Sequence, residues 1–137
     1  MGVLARASAA ELEPLWRVHG ATTPLPPLRP AETGLAMVRG RAGGTGQRFN
    51  LGEMTVTRCA VEGPGGTVGH GYVKGRCKRH AELAAAFDAL LQDPQRQDAL
   101  LAAVIEPLAA VQAARMRAVA AKAAATKVEF FTMVRGD

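Results

Sequence analysis

The chain has 137 residues, 48% of them hydrophobic, which fits one globular domain with a core of its own. Aromatic residues make up only 4%, and many of the apolar positions are alanines. Alanine adds little buried area at about 25 cal/mol per Å² of apolar surface, so a thin core that leans on a partner is expected. Seventeen Lys plus Arg against twelve Asp plus Glu leave a formal charge of +5. The cations are mostly arginine, whose flat guanidinium forms bidentate pairs with carboxylate or phosphate. Trp16, Phe49 and Tyr72 lie far apart in sequence, unlike a base-stacking platform. A nucleic-acid partner is therefore disfavoured.

From the N-terminus, "MGVLARASAAELEPLWRVHG" reads as helix, with Ser8 and Glu11 as a capping box and Leu12, Leu15 and Trp16 at helical spacing. Pro14 predicts a kink or a late start, and Gly20 ends the helix. Residues 21–33 carry four prolines and read as an extended surface connector. "LAMVRGRA", residues 35–42, and "GEMTVTRCAVE", residues 52–62, read as strands. "GPGG" turns the chain, and "TVGHGYVKG" returns as a hairpin partner. "KRHAELAAAFDALLQD" predicts a helix with Leu83, Phe87, Leu90 and Leu91 on one face. A second helix follows, striped by Leu101, Val104, Ile105, Leu108 and Val111, which Pro107 should kink or split. The chain closes on the apolar tail "TKVEFFTMVRGD", residues 126–137. The fold class is α+β: a small antiparallel sheet of about three strands packed against several helices, in one domain spanning 1–137, with the connector and the tail extended.

Two stretches invite a chemical reading. The glycines of "RGRAGGTGQR" match neither G-x-x-x-x-G-K-[ST] nor G-x-G-x-x-G, and they precede a strand where both motifs feed a helix. A long turn between strands and a backbone nest flanked by Arg41 and Arg48 both remain open. "KGRCKRHAE" sets Lys74, Arg76, Lys78, Arg79 and His80 around a helix start, where cations oppose the macrodipole. An anion or an acidic partner loop would relieve that repulsion, and Glu82 offsets part of it. Cys77 and His80 have usable metal-ligand spacing and His70 lies on the preceding strand, but no CxxC or HxxxH supports a site, and no orienting residue marks a Cys–His nucleophile. No catalytic residue and no metal ligand is assigned. Cys59 and Cys77 do not make a disulfide framework, the N-terminus lacks a signal-peptide core, and no stretch is expected to approach a membrane span. A cytoplasmic location with reduced thiols is expected. The apolar tail should either add a strand to the chain's own sheet or dock on a partner, and the thin core favours the partner.

"RPAETGLAMVRGRAGGTGQRFNLGEMTVTRCAV", "GYVKGRCKRHAELAAAFDALLQ" and "KVEFFTMVRGD" closely resemble the PhnG family, small subunits of the bacterial carbon–phosphorus lyase core complex. The resemblance runs from about Arg29 to Asp137 and is weakest in the N-terminal helix and the alanine-rich helix. It implies work alongside PhnI as main partner, with PhnH, PhnJ and a functional link to PhnL. It implies a part in the step in which methylphosphonate displaces adenine from MgATP. The product carries phosphonate on the anomeric carbon of ribose and triphosphate at its far end. MgATP is then a substrate of the complex, this chain binds no cofactor of its own, and the nucleosidase centre falls to PhnI. The matching motifs single out Arg41, Gly43, Gly44, Thr45, Gly46, Arg48, Arg58, Lys74, Arg76, Lys78, His80 and Glu82 as anion or partner contacts. They give Phe130, Phe131, Met133 and Arg135 to a docking tail. An independent nucleotide- or anion-binding module built on Arg41, Arg48, Lys74, Arg76 and Lys78 is the competing expectation.

Overall fold

A computed structural model describes residues 1–20 and 22–127. Two short helices open the chain, α1 (Gly2–Arg6) and α2 (Ala9–His19). Both halves of the capping box are made: the Glu11 N–H donates to Ser8 Oγ at 3.2 Å, and the Ser8 N–H donates to Glu11 Oε2 at 2.7 Å. The predicted single helix is therefore divided at Ser8. Helix α2 runs on through Pro14 to Gly20, whose N–H closes it on Trp16 O. A Cβ at Gly20 would stand 2.2 Å from the Trp16 ring, so glycine is required there by the indole folded over it.

Three antiparallel strands follow in the order β1 (Pro27–Arg41), β2 (Arg48–Glu62) and β3 (Val68–Lys74). The connector expected over 21–33 is thus partly strand, because β1 already pairs with β2 from Pro27. β1 lies at the sheet edge, where a proline's missing N–H costs no ladder bond, and the pairing shifts register between Pro27 and Glu32. β2 likewise starts at Arg48, before the predicted Gly52. Its ladder with β1 gains an extra residue between Val38 and Arg39, with Val38 opposite Gly52 and Arg39 opposite Asn50.

Helix α3 (Lys78–Leu90) lies across one face of β2 and β3. Its approach is close because both surfaces are small. A Cβ on Gly71 would meet Ala81 O at 2.0 Å, and one on Gly69 would meet Ala85 O at 2.2 Å. Phe87, Leu83 and Leu90 fill the remaining space with Leu4, Leu12 and Val73, and Trp16 meets Phe87 edge-on at 5.6 Å. The thin, alanine-rich core expected from composition is what holds α3 so near the sheet.

A last helix runs from Pro94 to Ala125 in three parts: α4 (Pro94–Leu100), a wider π segment (Leu101–Ile105) and α5 (Glu106–Ala125). Pro107 lacks the N–H that a helix interior needs. The π segment just before it sends the Glu106 N–H back to Leu101 O, so the helix continues where a break was expected. Of the predicted stripe only Val104 and Leu108 are buried, while Leu101 and Val111 are exposed. Gln112 donates to Val3 O at 2.9 Å, and Arg115 to Glu11 Oε1 at 2.9 Å, which tie the first half of α5 to the body. Beyond them Met116 and Val119 stand 66% and 68% exposed. By length and composition this helix is apolar enough to cross a bilayer, which corrects the expectation that no stretch approaches a span. Its hydropathy comes largely from alanine, and the same test is passed by core helices of other proteins.

Candidate functional site

β3 ends at Lys74, which is paired with Val56, so β1 and β2 continue past that point as a ribbon of two strands. Eight residue steps separate Val56 from Arg48, about 26 Å at roughly 3.3 Å each. The glycine-rich stretch closes the end of this arm. Ala42–Gly44 form a 3-10 turn, Gly43 and Gly44 have φ of 59° and 79°, and the Gly46 N–H returns to Ala42 O at 3.2 Å. Those two left-handed positions explain the glycines without a ligand. The turn between strands, one of the two readings the sequence left open, is formed, and Arg41 and Arg48 flank it.

The turn also gathers charge. Arg41 lies directly opposite Arg48, and Arg39 shares the Arg41 face two residues back. With Thr45, Gly46 and Gln47 they line a polar concavity of about 470 Å³. Among the described residues no carboxylate pairs with any of the three arginines. Like charges directly opposite on a ladder oppose it, so the free arm carries a repulsion that an anion at the tip removes.

The second basic cluster is elsewhere. Lys74, Arg76 and Lys78 are exposed around the β3–α3 turn, which is fixed at the base of the arm by Gly75 N–H to Thr55 O at 2.9 Å and Thr57 Oγ1 to Gly75 O at 2.7 Å. They therefore stand about 26 Å from Arg41 and Arg48. One polyphosphate does not reach both groups, so the single five-residue module weighed from sequence is not assembled.

Three further candidates have structural partners. Arg58 is engaged by Glu32 at 2.6 Å across the β1–β2 ladder. Glu82 faces Arg79 at 3.7 Å, as its place one turn on suggested. Arg79 is also held by Glu13, through Nε and Nη2 at 3.0 Å each, so this cation docks α2 on α3. The Arg79 hydrogen bonds hold the Glu13 carboxyl below its usual range. His80 is not on the surface with the cations. It is 7% exposed, and its Nε2 meets Leu4 O at 2.9 Å, locking α1 onto α3. The expectation of His80 as an anion contact is corrected: helix phase turns residue 80 inward while Lys78 and Arg79 face out. That orientation also separates it from exposed Cys77. Among the described residues no group of three or more His, Cys, Asp or Glu could hold a metal. The tail residues Phe130, Phe131, Met133 and Arg135 lie outside the described residues.

Sequence reasoning missed a cavity of about 340 Å³ between α2, α3 and the start of β1, walled by Trp16, Leu25, Ala31, Cys59 and Leu83 with Arg79 and Glu82 at its edge. Burial, then the Glu82 charge, push the Cys59 thiol up, so it is a poor nucleophile. The signal for this cavity was the proline-rich segment, whose Leu25, Pro27, Pro30 and Ala31 line it together with Leu83 and Ala86 of α3.

A family model described as phosphonate metabolism protein PhnG matches residues 1–136. The chain is 47% identical over 137 residues to the alpha-D-ribose 1-methylphosphonate 5-triphosphate synthase subunit PhnG of Rhizobium meliloti (strain 1021), a match covering 100% of this chain and 87% of that protein. The match includes the N-terminal helices and the alanine-rich helix, where the sequence resemblance was weakest. The chain belongs to the PhnG family of phosphonate metabolism proteins.

Proposed function

We propose that this chain is an accessory subunit of the transferase that installs methylphosphonate on the ribose of MgATP. Adenine leaves, and alpha-D-ribose 1-methylphosphonate 5-triphosphate forms, for later cleavage by carbon–phosphorus lyase chemistry. The observation that carries this is the 47% identity across the whole chain to a relative named as a subunit of that synthase. The site chemistry agrees. The described residues offer unpaired arginines and exposed apolar surface, the means of docking and of holding anions, and burial pushes up the thiol of Cys59, which lines the cavity beside α3.

In this reading the nucleosidase centre belongs to PhnI, the main partner. PhnH and PhnJ share the assembly, PhnL is functionally linked, and the complex works in the cytoplasm. Displacing adenine builds positive charge on the sugar, and water competes with phosphonate for it. A subunit that closes the site favours transfer over hydrolysis. The test is reconstitution. Tagged companion subunits should retain this chain through purification, and formation of the phosphonate-bearing product from MgATP plus methylphosphonate should depend on it. The same product formed at the same rate without the chain refutes the role.

A second reading is favoured by one observation, the arginine-lined tip of the arm with Thr45 and Gly46. It makes the chain an independent anion-binding module. It requires ATP to bind the isolated protein in a salt-dependent way, and a calorimetric titration without heat removes it.

A further inference from the structure

The arm carries apolar side chains on both faces. Leu35 and Met37, 63% and 51% exposed, continue the face on which α3 lies, because they alternate in phase with Thr33, the partner of core residue Thr57. Phe49 and Leu51, 47% and 61% exposed, stand on the other side. Phe49 shares the face of its partner Gly40, and Leu51 leans over the same glycine. A ribbon laid on a surface, or left in water, keeps one polar face. Strands that are apolar on both faces are covered on both. Among the described residues no third strand extends beyond Lys74 to shelter this one, and a two-stranded hairpin is marginal by itself.

We propose that the β1–β2 arm inserts into a cleft of the companion protein subunits, with apolar walls against both faces and carboxylates at the closed end receiving Arg39, Arg41 and Arg48. This rests on the subunit reading above. Charge complementarity selects the occupant. The tip brings three unpaired arginines, and an acidic pocket relieves the Arg41–Arg48 repulsion that the free arm bears. A second copy of this chain fits poorly. It carries +5, and among its described carboxylates Glu11, Glu13, Glu32, Glu82, Asp88 and Asp93 are already engaged internally, which leaves Glu53, Glu62, Asp98 and Glu106 scattered over β2, α4 and α5 rather than gathered in one acidic pocket. A nucleic acid would satisfy the arginines and leave Leu35, Met37, Phe49 and Leu51 in water.

The test is thiol labelling in the assembled complex. Exposed Cys77 is first replaced by serine, and Leu35→Cys and Leu51→Cys are made separately, one on each face; buried Cys59 remains. Both positions should react readily with a maleimide in the unassembled chain and lose that reactivity in the complex. A chain carrying Arg41→Glu and Arg48→Glu should keep its thermal midpoint and be lost from the tagged companions. If the wild-type chain does not assemble, the subunit reading falls and the insertion with it. If it assembles while both thiols stay reactive, the insertion alone is overturned. Protection of only one face means an arm laid on a surface and also overturns it, as does full retention of the charge-reversed chain. Protection of both thiols in the isolated chain, with sedimentation as a dimer, assigns the arm to a second copy and refutes the proposed occupant.

Discussion

Replacing Gly71 by alanine should loosen the whole fold. The added Cβ would lie 2.0 Å from Ala81 O, 2.9 Å from Ala81 C and 3.1 Å from Ala85 N, about 1.4 Å short of the 3.4 Å at which ordinary contact begins. All three are backbone atoms of α3, so no rotamer change relieves the clash. The helix must retreat from the sheet, and with it Leu83, Phe87 and Leu90, which are 0–1% exposed and supply much of the core. Overpacking costs about 1–3 kcal/mol, more where the neighbour is rigid. Here about 3 kcal/mol is expected, a large part of a total of roughly 5–15 kcal/mol. For a chain of this length that lowers the thermal midpoint by roughly 10 °C. Gly34→Ala is the control, since nothing lies within 4 Å of its Cβ position, and it should stay within about 0.5 kcal/mol of the parent. The assay is thermal and urea unfolding followed by circular dichroism. Equal midpoints for the two variants would show that α3 does not sit on β3 as described.

Ser8→Ala should cost about 1 kcal/mol by removing the cap of α2. The Ser8 backbone N–H, which alanine keeps, and then the Ser8 hydroxyl, which alanine loses, hold the Glu11 carboxyl below its usual range, so the hydroxyl's share is present above the unfolded carboxylate range and fades as pH falls through the lowered value. The gap between wild type and Ser8→Ala in urea unfolding should therefore narrow in acid and persist at neutral pH. His80→Leu leaves the buried Leu4 carbonyl without its partner and should cost about 1–3 kcal/mol, with amide exchange rising first in α1. Among the native thiols, Cys77 should react with a maleimide long before Cys59, and raising the pH should not close the gap, because Cys59 is limited by burial.

The sequence shows the elements well where local chemistry decides them. Ser8 and Glu11 locate a helix start, Gly63–Gly66 a turn, and Leu83–Phe87–Leu90 a buried helix face, all of which the structure contains. It is less informative where tertiary position decides. Prolines at 27 and 30 argue against a strand until β1 is known to be an edge. Pro107 argues for a break until the π segment absorbs it. The length of the arm was hidden because Arg48 to Leu51 reads as loop, although Phe49 and Leu51 already alternate with polar neighbours. The basic residues were legible as types, and their separation into a tip and a base cluster was not. His80 looked like one more cation in a run, and only the phase of α3 turns it inward.

The central claim is that this chain makes a multi-subunit transferase productive without carrying its chemistry. The most direct test is the partition of products from MgATP and methylphosphonate, resolved by mass spectrometry, for the companion subunits with and without this chain. The account predicts ribose 1-methylphosphonate 5-triphosphate when the chain is present. It predicts loss of that product, or a shift to free ribose triphosphate with adenine still released, when it is absent. An unchanged product ratio and rate without the chain contradicts the account.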